Sequence, residues 1–498
     1  MSENFVNAME SANNWKLTEN EADALRSTTN DLLDLFATIG ALRTRDEQDI
    51  ESMFSKAFTE DKLLATKMSF YARNVRGGLG ERHTARVIWK WLAKIYPDVM
   101  KKNLEFVPSF GRWDDMYEFV GTPAENMAWT LIRAQWNADV KADIAGENVS
   151  LLAKWLKSVN TSSKESNKLG KLTAQKIGIT EKAYRKGLSK LRAKIAIVEK
   201  AMSAGDWSAI KYEGVPSKAM TNYRKAFRKH DEDGFTVYME KVAKGEAKIN
   251  ASTLFPYDII EKVMYRSENS DVLEAQWKAL PNYVEGENNV LVVADVSGSM
   301  EGRPMATSVG LAMYFAERNH GVFKDKFITF SGAPDFVTLK GNTLYERVQN
   351  AKGAHWDMNT DIEKVFKLVL DAAVDNKLSQ EDLPKAIVII SDMEFDASQE
   401  DNYGGNSYGG HGSRKVKKYQ YQQMKEWFAS FGYELPRIVY WNVEARQNTF
   451  HAMPQDGVQF ASGQATSVFK SICKNAELSA YELMIEELSA PAYDCITI

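Results

Sequence analysis

The stretch Val290–Met300, VLVVADVSGSM, decides how the chain is read. Val290 to Ala294 is a short apolar run of the kind that forms a strand buried on both faces of a parallel sheet. It leads into Asp295, Ser297 and Ser299, three oxygen-bearing side chains spaced two apart. A strand that delivers one carboxylate and two hydroxyls to a loop builds a small, hard, oxygen-rich cup, which suits Mg²⁺ or Mn²⁺. Taken alone, the D-x-S-x-S pattern is equally an ordinary turn and helix cap, because Asp and Ser are favoured in both.

Outward from that strand, residues 288–475 alternate Val/Ile-rich runs with amphipathic segments. The pattern predicts strands at 290–294, 326–330, 336–339, 386–390, 438–442 and 457–460. It predicts helices near 303–317, 343–349, 361–375, 418–428 and 465–472. Such alternation indicates a doubly wound α/β sheet, whose ligands bind beyond the carboxyl ends of the strands. The strand and its D-x-S-x-S loop resemble the von Willebrand factor A fold and its metal-ion-dependent adhesion site. The resemblance implies two further ligands downstream, a Thr and then an Asp. Thr360, in NTDIEKVF, and Asp392, at the end of AIVIISD, match them. The implied set is Asp295, Ser297, Ser299, Thr360 and Asp392 around Mg²⁺ or Mn²⁺, with a position left for a carboxylate from a protein partner. The glycine-rich loop 396–413 is expected to be exposed near the metal. His411 within it has no ligand cluster around it.

At 498 residues the chain is too long for one core and implies two to four domains. Its 44% apolar content is globular, and its net charge of -4 is modest. Two cysteines exclude a disulfide scaffold and a Cys-based zinc site. There is no basic-then-apolar leader and no apolar run near the ~18 residues that a membrane span needs. The expected location is cytoplasmic, with no membrane partner.

Residues 1–25 are polar and are expected to form a loosely held leader. From 26 to 285, helical patterns of 10–15 residues with short breaks predict an all-α helical-repeat domain. Three glycines in Arg76–Arg82 make a turn; without a Lys-Ser/Thr ending or a preceding strand, it is not a phosphate loop. In Gly111–Tyr117, Trp113 reads as a core anchor, and Asp114 and Asp115 as cap or ion-pair residues. Between 154 and 229 the composition shifts, with 19 Lys/Arg against five acids, a field that attracts phosphates or else a solvated face. Tyr184, Trp207, Tyr212 and Tyr223 lie among these charges and read either as base-stacking platforms or as core. Pro281–Glu287 reads as a linker. Residues 476–498 form a tail with one helix and strand-like last residues.

The Arg76–Arg82 turn, the Gly111–Asp115 motif, VPSKAM and VVADVSGSM together resemble the Ro ribonucleoprotein family, in a divergent microbial or viral branch. That resemblance implies a HEAT-like helical ring closed by a von Willebrand factor A domain. It implies binding of small non-coding or misfolded RNA, with Lys218, Arg224, Lys225, Arg228, Lys229 and His230 on RNA-facing helices. The expectation is a non-enzymatic RNA-binding protein, since the six histidines are scattered and no compact His/Asp cluster is present. The alternative is a metal-dependent protein-interaction or assembly module that does not bind RNA.

Overall fold

The computed structural model describes residues 13–195, 197–284, 289–330, 334–354, 356, 360–397, 420–474 and 477–498. The chain divides into two compact units, and neither is contiguous. One combines the residues up to Asp61 with Leu254–Ala490; the other combines Lys62–Thr253 with Pro491–Ile498.

The first unit holds a two-stranded hairpin, β1 (Trp15–Leu17) and β2 (Asp23–Leu25), and a six-stranded sheet. The sheet strands are β3 (Val290–Asp295), β4 (Lys326–Phe330), β5 (Asp335–Thr338), β6 (Ala386–Ser391), β7 (Arg437–Asn442) and β8 (Gln459–Ser462). Their spatial order is β5-β4-β3-β6-β7-β8, parallel except for β5 on the edge. Every residue of β3 and β6 is buried, as their unbroken Val/Ile runs require when helices cover both faces. The chain runs outward from β3 through β4 to β5, then returns to the other side of β3 as β6. The strand order therefore reverses between β3 and β6, and a ligand crevice opens at such a point.

The fold class read from the sequence, helical repeats followed by a doubly wound von Willebrand factor A-type domain, is the one observed. The boundaries differ. Residues 26–61 and 254–284 were expected in the helical domain but pack with the sheet. Helix Pro256–Arg266 lies along helix Arg303–Arg318 so closely that a Cβ on Gly310 would sit 3.1 Å from the Pro256 Cβ. Trp277 donates to Glu317 at 2.6 Å, and Arg318 returns a bond to the Trp277 carbonyl. Gly40 meets Gly463 backbone to backbone, with no room for a side chain at Gly40. Residues 13–25 are not a loose leader, since the hairpin pairs onward through Leu25 and Phe450, which exchange both backbone bonds. Of the linker and the glycine-rich loop, 285–287 and 398–413 (with His411) lie outside the described residues.

Within this unit the Asp34 carboxylate is buried and accepts both the amide and the hydroxyl of Thr28, at 2.7 and 2.6 Å. Burial nevertheless pushes its pKa up to about 6. A raised folded-state pKa means that the native state binds the extra proton, so this residue's contribution to stability falls as pH rises from about 4 to about 6. Asp34→Asn keeps the acceptor oxygen, and it is expected to flatten that part of the melting temperature against pH profile.

In the helical unit, successive helices pack in pairs, as in HEAT-like arrays, beginning with Lys62–Arg73 on Arg82–Ile95. Its organising contact is a buried charge cluster. Asp115 accepts from Arg73 Nε at 2.9 Å and from Arg86 Nε at 2.7 Å, and Arg86 also reaches Asp114 and Glu118. Gly111 is required because a Cβ there would fall 2.2 Å from the Asp115 carboxylate. The ion-pair reading of Asp114 and Asp115 therefore holds. The last residues are not a strand: Tyr493 stacks on Phe110 at 5.6 Å, and Asn103 exchanges two bonds with Thr497. No helix among the described residues is long and apolar enough to cross a membrane. Asp115→Ala strands two partly or fully buried guanidinium groups, and urea denaturation is expected to register a loss of about 3–5 kcal/mol.

Candidate functional site

The cup lies at the switch point. Parallel pairing of Val290–Ala294 with Ala386–Ile390 puts Asp295 beside Ser391, one residue before Asp392. Ser391 Oγ donates to Asp295 Oδ2 at 2.5 Å, and the Ser297 amide donates to Oδ1 at 2.9 Å. The Ser297 and Ser299 hydroxyls are 3.2 Å apart. Asp295, Ser297 and Asp392 are all buried. Asp392 Oδ1 accepts the Glu394 amide at 3.2 Å, whereas Oδ2 has no hydrogen-bond partner among the described residues. Thr360 is fully buried beside the segment that follows Asp392, where its backbone exchanges bonds with Asp396.

The turn after β6 is strained and heavily supported. Met393 adopts φ of 68°, left-handed backbone that a non-glycine residue rarely takes. Its amide bonds Ser391 Oγ at 3.0 Å, and its carbonyl lies 2.8 Å from His451 Nε2. Burial lowers the His451 pKa to about 4, so the ring is neutral and Nε2 donates. Glu394 is buried and accepts Thr449 Oγ1 at 2.8 Å and the Glu19 amide at 2.7 Å.

That last bond brings the N-terminal hairpin to the cup. Asn20 Nδ2 reaches the Glu394 carbonyl at 2.6 Å and the Thr360 hydroxyl at 3.3 Å. Lys16 bonds Gln447, the Asn448 carbonyl and Thr449. Arg446 stands at the mouth. It bonds the Ser299 carbonyl, pairs with Glu19 at 3.4 Å and lies 4.0 Å from Asp392 Oδ2. Sequence reading missed Asn20, Glu394, Ser391 and Arg446. Only Ser391, a hydroxyl at a strand's carboxyl end, carried any local signal.

Burial, and then the charge of Asp392, push the Asp295 carboxyl well above the usual range; burial raises Asp392 as well. Two carboxylates in one dry place cannot both ionise cheaply without a cation. An all-oxygen donor set, an orphaned buried carboxylate oxygen and this mutual repulsion fit a hard divalent ion. Among the described residues no group of three or more His, Cys, Asp or Glu is placed to hold a metal; the cup offers two carboxylates together with hydroxyls.

The second candidate set lies on helix Ser217–His230 of the helical unit. Lys218, Lys225, Arg228, Lys229 and His230 are exposed. Arg224 is not: it is buried on the inward face with Met220, Thr221 and Phe227, so it cannot join an outer phosphate-binding face. His230 stacks on Trp207 at 4.4 Å. Tyr184 and Tyr212 are core residues, the former stacked on Trp136 at 5.3 Å, and neither presents a face to a base.

The sheet order and the cup thus define a von Willebrand factor A-type domain with a candidate metal centre, joined to a helical-repeat unit. A domain of unknown function, DUF2828, matches residues 18–143 and 145–288, more than half of the chain, and the chain belongs to that family. A second domain of unknown function, DUF7788, matches 289–490. The chain is 29% identical over 525 residues to "Uncharacterized protein L728" of Acanthamoeba polyphaga mimivirus, covering 95% of this chain and 87% of that one. It is also similar to the crystal structure of the Deinococcus radiodurans RO (RSR) protein. That likeness has a TM-score of 0.45 and 13% identity, over 91% of this chain and all of the other.

The cup predicts a metal-dependent melting temperature. Mn²⁺ or Mg²⁺ at about 100 times its dissociation constant should stabilise the protein by about 2.7 kcal/mol, and EDTA should reverse the shift. Asp392→Asn is expected to abolish the shift in a thermal melt. An equal shift in the variant would place the ion elsewhere.

Proposed function

We propose that this protein is a non-enzymatic, cytoplasmic RNA-binding scaffold. It would take small structured or misfolded RNA on its basic helical surface, and hold Mg²⁺ or Mn²⁺ in the cup for a carboxylate of a protein partner. The observation that carries the reading is exposure: 14 of the 19 Lys and Arg residues between 154 and 229 are exposed, inside a chain whose net charge is -4. A segregated positive field of this kind draws phosphate backbones and releases their counterions. The resemblance of several motifs to Ro ribonucleoproteins supports the same reading.

Asp295, Ser297, Ser299, Thr360 and Asp392 would hold the ion, which would offer one Lewis-acidic position to an incoming carboxylate. The chain's own groups around the cup bind and orient. Ser391 and the Ser297 amide fix the Asp295 carboxylate, the Glu394 amide fixes Asp392, and Arg446 adds positive charge at the mouth. His451, the buried imidazole here, is spent on the Met393 carbonyl.

Filter binding with structured and single-stranded RNA tests the reading. Affinity should fall linearly on a log–log plot against salt, and Lys218→Glu/Lys225→Glu/Lys229→Glu should weaken it at least about tenfold. Affinity no greater than that of an acidic control protein would overturn the proposal. The orphaned Asp392 oxygen favours one other reading, a metal-dependent protein-interaction module without RNA. That reading expects capture of a protein ligand that is lost in EDTA and in Asp295→Ala, and is indifferent to ribonuclease.

A further inference from the structure

The helical unit contains a second basic feature, separate from helix Ser217–His230. A cavity of about 780 Å³ is lined by Lys154, Trp155, Arg185, Lys186, Arg192 and Lys200, with Glu199 as the one carboxylate on its wall. Its volume lies within the range of about 300–1,000 Å³ typical of small-ligand sites. Five cations against one anion around a concavity repel one another, and a concave low-dielectric wall focuses their field on whatever occupies it. Glu199 is engaged by the Tyr223 hydroxyl at 3.2 Å.

The walls are built rather than incidental. Lys154 and Trp155 end the short helix Leu152–Trp155. Arg192, on helix Glu181–Lys194, staples the segment around them with bonds to the Ala153 carbonyl at 2.9 Å, the Leu156 carbonyl at 2.8 Å and Ser158 Oγ at 2.9 Å. From the core side, Tyr184 donates to the Lys157 carbonyl at 2.8 Å, and the Lys157 amide donates to Tyr117 at 3.0 Å. The Arg112 guanidinium lies over the Trp155 ring at 4.3 Å and steadies it. Arg192 is thus consumed in fixing the wall. Arg185, Lys186 and Lys200 are exposed and have no ion-pair or hydrogen-bond partner among the described residues; Lys154 sits 5.4 Å from the Trp155 ring.

A half-buried indole held rigid beside several exposed cations presents two recognition elements at once, a flat apolar surface and a set of phosphate-binding charges. We infer that this cavity binds a nucleotide unit, with its phosphate among Lys154, Arg185, Lys186 and Lys200 and its base against Trp155. This deepens the RNA-binding reading by naming a base-and-phosphate subsite, and it rests on that reading only if the nucleotide belongs to an RNA strand. The shared chemistry, an anionic phosphate carrying an aromatic base, could come from a free mononucleotide or from one residue of a single strand.

Fluorescence anisotropy on the full-length protein, with labelled AMP and labelled single-stranded oligoadenylate of eight residues, tests it, with inorganic phosphate as competitor. At least one probe should bind, and Arg185→Glu/Lys186→Glu should weaken that binding at least tenfold. Trp155→Leu should weaken it about fivefold or more while Trp155→Phe largely retains it, because stacking is tolerant of which ring supplies the surface. Both are read on protein whose melting temperature is unchanged. Binding of AMP assigns the site to free mononucleotide; binding of the oligonucleotide alone assigns it to a strand. Phosphate competing as well as AMP would overturn the role of Trp155, and with it the proposal. If oligonucleotide binds but Arg185→Glu/Lys186→Glu leaves it unchanged, while Lys218→Glu/Lys225→Glu abolishes it, the cavity proposal falls and the RNA-binding reading stands. If AMP binds in the cavity and no RNA binds anywhere, the proposal stands and the RNA-binding reading falls. If neither probe binds, both fall.

Discussion

Two carboxylates at the carboxyl ends of neighbouring strands, Asp295 and Asp392, are buried at the point where the strand order reverses. An unpaired buried charge is expensive, and two of the same sign are more so. Much of the surrounding structure is arranged around that constraint. Ser391 and the Ser297 amide hold Asp295, the Glu394 amide holds one oxygen of Asp392, and Arg446 approaches the other. The left-handed Met393 is the bend that turns the chain after Asp392, and His451 braces it. The cup is therefore a property of the unit as a whole, drawing on residues from both ends of its sequence.

What was legible in the sequence was what repeats locally. The Val/Ile runs of β3 and β6 and the helices between them leave a signature within a dozen residues, and their ends were placed to within a few positions. The positions of Asp295 and Asp392 at strand carboxyl ends were legible for the same reason; Thr360 was named through the family resemblance. Asn20 and Glu19 were not legible. They meet the cup across more than 330 positions, through a hairpin of three-residue strands in a stretch whose composition reads as polar leader. The helices at 31–60 and 256–278 have the same amphipathic pattern whichever core they cover, so the pattern could not assign them to the sheet. Gly40, Gly310 and Gly463 mark the close approaches that decide the matter, and a lone glycine announces no partner.

Nineteen cations against five acids in the basic segment is a statement about average field, and the fold divides that field unequally. Arg224 is buried in a helix interface and Arg192 is a staple between backbone carbonyls; neither is available to a ligand. Tyr184 and Tyr212, which sequence placed beside the charges as possible stacking surfaces, are core residues, whereas Trp155, at the edge of the segment, lines the basic cavity. Spacing along a helix sorts faces; it does not say which face another helix will cover.

The discontinuity of both units bears on how the chain is made. During synthesis the hairpin and the helices up to Asp61 emerge first, yet the sheet they cover begins almost 230 residues after Asp61, at β3. At typical elongation rates that delay is on the order of tens of seconds. Over that interval the helices that carry Leu32, Leu33, Leu35, Phe54 and Phe58 have one another to pack on but lack the rest of the unit in which these residues are buried. In the helical unit the stack of Tyr493 on Phe110 likewise joins residues more than 380 positions apart. Contacts of such long sequence range slow folding, and apolar surface that waits for its partners during synthesis is the kind that chaperones hold.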